Sequence, residues 1–182
     1  MLKNSILGWL SRVARDQRGV SAVEFALLAP VMIGLYLGCA EISDGVAADR
    51  KVSLTSSTLA NLTAQSATIS TSDMTNILDA SSAIISPYSA SHLKMTVTCI
   101  SISATKVATV KWSVTRGGTA NSGTMSIPSA LAVASSQLVL AEVSYAYTPT
   151  VGYTITGTLT LSDKMYMSPR ITAPTYGATT CT

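Results

Sequence analysis

One histidine and three cysteines in 182 residues leave little material for metal or acid–base chemistry. A zinc site needs three or four converging Cys, His or carboxylate ligands, and no Cys/His grouping of that kind is present. His92 stands beside a predicted strand with no motif around it and reads as a surface or structural residue, not a general base. Serine is plentiful, yet no G-x-S-x-G elbow frames one. Gly117-Gly118 lacks the Lys-Ser/Thr that completes a phosphate loop. Asp79-Ala80-Ser81-Ser82-Ala83 begins like a D-x-S-x-S cation motif, but Ala83 stands where the second serine belongs. The expectation is a chain that is not an enzyme and takes no metal and no cofactor. Charge is also scarce, and Lys3, Arg12, Arg15 and Arg18 against Asp16 account for the whole net charge of +3. The remaining residues balance to zero, so there is no basic footprint and nucleic acid is excluded as a partner.

Proline is missing between Pro30 and Pro87, and charge is missing across most of one stretch. From Val20 to Ala40 the only carboxylate is Glu24, and 21 helical residues at about 1.5 Å each reach roughly 31 Å, the depth of a bilayer's hydrocarbon core. Residues 20–40 are therefore expected to span a membrane as a single pass, with membrane lipid as a partner. Basic residues ahead of the run keep the N-terminus cytoplasmic and send the chain after Ala40 across. A carboxylate inside such a helix costs about 2.5 to 3.5 kcal/mol on insertion scales, so Glu24 marks a function. With no proline to stop it, the helix is expected to continue past Ala40 on a seam of Val46, Leu54, Leu62 and Ile69, and Pro30 is expected to kink it.

Arg12, Arg15 and Arg18 precede Gly19, Val20, four residues counted from the glycine, then Glu24 and Phe25. This order resembles the signal of type IV pilin-like proteins, which implies a leader at residues 1–19, cleavage by a prepilin peptidase between Gly19 and Val20, and Glu24 at the fifth position of the mature chain. The wording VEFALLAPVMIGLYLGCAEI resembles more narrowly the TadE-like minor pseudopilins of tight-adherence (Flp) type IVb pilus systems. The run from Val143 to Arg170, with its Tyr-containing proline turn between strands, is similar to their C-terminal half. The resemblance implies a bacterial inner-membrane protein with a periplasmic pilin-like domain at 41–182. It implies a structural role in pilus assembly, surface adhesion and biofilm formation. Its implied partners are the peptidase, other pilins and minor pseudopilins and the inner-membrane assembly platform, with Glu24 and Phe25 serving assembly and incorporation in the pilus itself left open. Other readings stay open: a secretory signal cut near Gly38-Cys39-Ala40, a lipoprotein signal on Leu37-Gly38-Cys39, and a plain anchor carrying an extracytoplasmic adhesin or binding module that does not polymerise.

Beyond the long helix, Ser70 to Ser72 caps a second one carrying Met74, Ile77, Leu78 and Ile84 and ending by Pro87. The period then changes to two. Leu93, Met95, Val97 and Cys99 alternate with polar residues, as do Val110, Trp112 and Val114, and Val139, Ala141, Val143, Tyr145 and Tyr147; Leu159, Leu161, Met165 and Met167 suggest a fourth strand. Ala104-Thr105-Lys106 reads as a turn, Arg116 to Gly123 as an exposed loop and Pro128 to Ala134 as a helical turn. The fold class is α+β: a transmembrane helix extending into a long pilin-like helix, then a mostly antiparallel sheet of about four strands. Tyr145, Tyr147 and Tyr153 read either as an exposed binding patch or as strand core. Asn61-Leu62-Thr63 fits a glycosylation acceptor, too short to decide anything alone. With Cys39 in the membrane helix, Cys99 and Cys181 form an even pair in an exported domain and read as a disulfide, two buried free thiols being the alternative.

Overall fold

With no proline between Pro30 and Pro87, one helix runs from apolar into polar sequence without a break: α1, Arg18–Gln65, is continuous over 48 residues with Pro30 inside it. The computed structural model describes residues 18–150 and 157–182; most of the expected leader, and Tyr153, lie outside them. The chain divides into two compact units, one ending at Ser43 and the other Asp44–Thr182. In the first unit the described residues are helix alone, and Val20, Phe25, Leu27, Val31, Leu35 and Tyr36 are all exposed. A helix segment that is apolar on every side and unburied by any of the described residues fits a single-pass membrane anchor.

In the second unit, α1 contributes a buried face of Ala48, Val52, Thr55, Ser56, Leu59, Ala60, Thr63 and Ala64. This corrects the expected seam: Val46 and Leu54 are exposed, and Ile69 is buried but lies beyond the helix. Six of these eight buried positions are small or hydroxyl-bearing residues. The hydroxyls bring their own acceptors, Thr55 donating to the Lys51 carbonyl at 2.7 Å and Thr63 to the Leu59 carbonyl at 2.9 Å. The Ser/Thr-rich stretch therefore remains helical while satisfying its buried polar atoms internally.

After α1 come β1, Thr68–Ile69, and α2, Thr71–Ala83, which opens on a capping box between Ser70 and Asp73 and buries Met74 and Leu78. The Lys51 ammonium reaches from α1 to the Ile84 carbonyl at α2's C-terminal end, 3.2 Å away, where a cation suits the helix dipole. Then follow β2 Leu93–Ile102, β3 Ala108–Arg116, β4 Ser136–Tyr147 and β5 Leu159–Met167, an antiparallel sheet in the order β3-β2-β4-β5. A short 3-10 turn at Ser129–Leu131 occupies the expected helical turn.

The strands alternate as the sequence expected, but two of them are buried on both faces. On the inner face Leu93, Met95, Val97, Cys99, Val139, Ala141, Val143, Tyr145 and Tyr147 share one core with α1 and α2, so Tyr145 and Tyr147 are core residues. On the outer face Ile100, Ile102, Ala108, Leu138 and Leu140 form a second core under Met125, Ile127 and Leu131 of the long loop after β3. A bulge opposite Cys99 and Ile100 leaves Lys111 as the extra residue, so Trp112 pairs with Cys99 on the inner face while Val110 pairs with Ile100 on the outer one. Simple alternation had put Val110 and Trp112 on the same side. The sequence also missed a small second sheet, in which β6 Thr175–Tyr176 lies parallel to β1 and turns through Gly177, at φ +58, into β7 Thr179–Thr180. Two-residue strands carry no readable period.

Candidate functional site

The residues of the proposed processing and assembly site, Gly19, Val20, Glu24 and Phe25, all lie on α1, near the first of the described residues. Val20 and Glu24, four apart, share a helix face about 6 Å apart along the axis. A Cβ built on Gly19 meets nothing within 4 Å, so no packing within the described chain dictates a glycine there. Phe25 is 71% exposed and Val20 63%. Glu24 is exposed and has no hydrogen bond or ion pair with any of the described residues. An apolar helix thus displays one uncompensated carboxylate a single turn from the Gly19–Val20 peptide bond.

Cys99 and Cys181 are bonded as a disulfide, with Cα atoms 5.9 Å apart and both residues fully buried. Cys99 points from β2 toward the inner core, where the C-terminal segment crosses it. Trp112 donates its indole N–H to the Pro174 carbonyl at 3.1 Å and lies 5.6 Å from the Tyr176 ring. Arg170 ties the same segment to α1, its backbone N–H reaching the Ala64 carbonyl and its guanidinium the Asn61 side-chain oxygen at 2.8 Å. The Asn61 side-chain oxygen therefore has a partner, and Thr63 of the glycosylation pattern is buried in the folded helix. Cys39, on the apolar helix, is a free and exposed thiol.

Among families, that of the TadE-like protein matches residues 19–67, from the proposed cleavage glycine to two residues past the end of α1. Residues 19–67 are similar to the TadE-like family. No curated protein and no solved structure matches it. The family match covers α1 and does not reach Val143–Arg170, where the likeness rests on sequence pattern alone. TadE-like proteins are pilus-associated and structural rather than catalytic, and the long apolar helix is the part of this chain that matches them.

The other sequence candidates sit in structural settings. His92 is exposed in a 3-10 turn, its ring 6.3 Å from Tyr145. Asp79 accepts a 2.6 Å salt bridge from Arg116, and Ser81 is buried in the core. Among the described residues no three His, Cys, Asp or Glu side chains converge as metal ligands.

Sequence reasoning missed a polar network on the outer face of the sheet. Glu142 on β4 lies directly opposite Lys164 on β5, 2.6 Å apart, and also accepts from the Asn121 amide, which donates in addition to Thr98 at 3.0 Å. Burial alone would raise the Glu142 carboxyl, but hydrogen bonds from Lys164 and Asn121 and the Lys164 charge outweigh it and hold the group below the usual carboxylate range. The Lys164 ammonium is pushed up, first by its hydrogen bond to Glu142 and then by that residue's charge. Asn121 also donates its backbone N–H to the Ser113 hydroxyl at 3.0 Å, fastening the long loop over the strands. The available signal was two opposite charges on the polar faces of two predicted strands, legible only once their register is known.

Proposed function

We propose that the chain is a minor pseudopilin required for assembly of tight-adherence (Flp) pili, and through them for surface adhesion and biofilm formation. The observation that carries this reading is the Glu24 carboxylate, without a partner among the described residues, on an exposed apolar helix one turn from Gly19 in a TadE-like segment. The N-terminus is cytoplasmic and the second unit periplasmic. A prepilin peptidase cuts after Gly19; the scissile bond lies within helix, which has to open locally before hydrolysis. The cut leaves Val20 with a free amine beside a carboxylate on its own helix face. In an array of helices displaced along their axes, Glu24 of one subunit meets the new amine of another pilin. At about 4 Å and an effective dielectric near 20 that attraction is roughly 4 kcal/mol before desolvation is subtracted, so the pair sets register more than strength.

Mass spectrometry of the mature chain should find Val20 at its start, and a start at Cys39 or Glu41 would reject the processing step. Glu24→Ala should leave synthesis and membrane insertion near normal, since removing an intramembrane acid eases insertion, while pili are lost. Wild-type piliation in that mutant would leave the helix a plain anchor.

A further inference from the structure

The sheet face turned away from α1 holds a groove of about 300 Å³, lined by Lys94, Thr119, Glu142, Ser144, Ser162 and Lys164 among others. Its floor is set by strand register. Lys94, Ser144 and Ser162 sit directly opposite one another across β2, β4 and β5, and Thr96, Glu142 and Lys164 form the neighbouring row. At about 4.8 Å between strands each row is roughly 10 Å long, and the two rows lie about 7 Å apart, an area that takes one or two hexose rings. The wall comes from the loop after β3. Gly118 lies so close that a Cβ there would stand 2.9 Å from the Thr115 hydroxyl and 3.2 Å from that of Thr96. Asn121 pins the loop to Glu142 and Thr98.

The two rows differ in what they have left to offer. In the second, Glu142 and Lys164 neutralise each other. In the first, the exposed Lys94 ammonium and the hydroxyls of Ser144 and Ser162 form no hydrogen bond or ion pair with any described residue. One uncommitted cation followed by two uncommitted hydroxyls matches a singly charged ligand with hydroxyls of its own. A phosphate dianion carries more charge than the single uncommitted cation, Lys94, can match. An extended peptide binds at a strand edge, where free backbone groups supply its hydrogen bonds, and this groove lies on the face of the sheet.

We propose that the groove binds a carboxylate-bearing saccharide, with Lys94 taking the carboxylate and Ser144 and Ser162 the ring hydroxyls. The site needs nothing from α1, so the proposal holds whether or not the chain polymerises, and it is tested on single chains. Full-length protein in detergent micelles is titrated calorimetrically with tetragalacturonate, with maltotetraose as the neutral probe and tetraglutamate as the acidic peptide. Tetragalacturonate should bind, with maltotetraose and tetraglutamate at least tenfold weaker. Lys94→Ala should lower the affinity about tenfold or more, the scale of a lost charge-assisted hydrogen bond. Lys94→Arg should restore most of it, and Ser144→Val should weaken binding without altering the melting temperature. The proposal is overturned if the wild type shows no binding at about 1 mM ligand, if Lys94→Ala binds as the wild type does, or if either control probe binds as tightly as tetragalacturonate.

Discussion

The Ser56 hydroxyl on α1 donates a 2.6 Å hydrogen bond to the Asp163 carboxylate on β5, the edge strand of the main sheet. Ser56 is fully buried and Asp163 half-buried, so this is a charge-assisted bond across the core between elements 107 residues apart. Ser56→Ala should cost about 1.5 to 3 kcal/mol, because the carboxylate loses its donor without regaining full hydration. Asp163→Ala should cost less, since the Ser56 hydroxyl retains the Ser53 carbonyl 2.9 Å away. Urea unfolding of both variants checks the order, and a Ser56→Ala midpoint equal to wild type would show that the bond does not hold β5 to the helix.

The Cys99–Cys181 bridge closes a separation of 82 residues, which in the chain-entropy model contributes at most about 4.5 kcal/mol. Cys181→Ser should lower stability by a large part of that ceiling and free the C-terminal segment first, because β6 and β7 are two-residue strands with little pairing of their own. Hydrogen exchange should show early loss of protection at Thr175 and Tyr176, with β2 and β4 still protected. Equal protection of β6 in wild type and variant would mean that Trp112 and Arg170 hold the segment unaided.

The Glu142–Lys164 pair sets a pH dependence of known sign. Glu142 is depressed in the folded state, so its contribution is present above the usual carboxylate range and lost as pH falls through the folded value; Lys164 is raised, so its contribution is present below the usual lysine range and lost only as pH rises past the folded value. Stability should be flat through neutrality and fall on the acid side. Lys164 is 63% exposed, which keeps the pair's worth within about 1 kcal/mol. Glu142→Gln should flatten that part of the acid limb in melts between about pH 3 and 6, and an unchanged acid limb would assign the fall to other carboxylates.

Much of this architecture was legible in the chain. Val20 to Ala40 announces its helix by unbroken hydrophobicity, and Ser70 with Asp73 announces the cap of α2, because both signals are local. Four strands were visible for the same reason, each alternating with period two. The faces were less legible. The seam through Val46 and Leu54 was read from hydrophobicity, whereas the buried face of α1 was selected by size and by hydroxyls able to bond within the helix. Val110 was misplaced because a one-residue bulge inverts every side chain beyond it.

The sequence by itself determined the long apolar helix, the glycine and carboxylate on which the proposed processing and assembly rest, and the α+β order, since each depends on residues within a few turns of one another. Only the tertiary structure decided which residues meet across 18 to 107 positions: Asn121 and Lys164 at Glu142, Ser56 at Asp163, Trp112 under Pro174, and the open row of Lys94, Ser144 and Ser162. Those meetings depend on strand order and register, which are set by how two cores close on opposite faces of one sheet, and no local pattern encodes that closure.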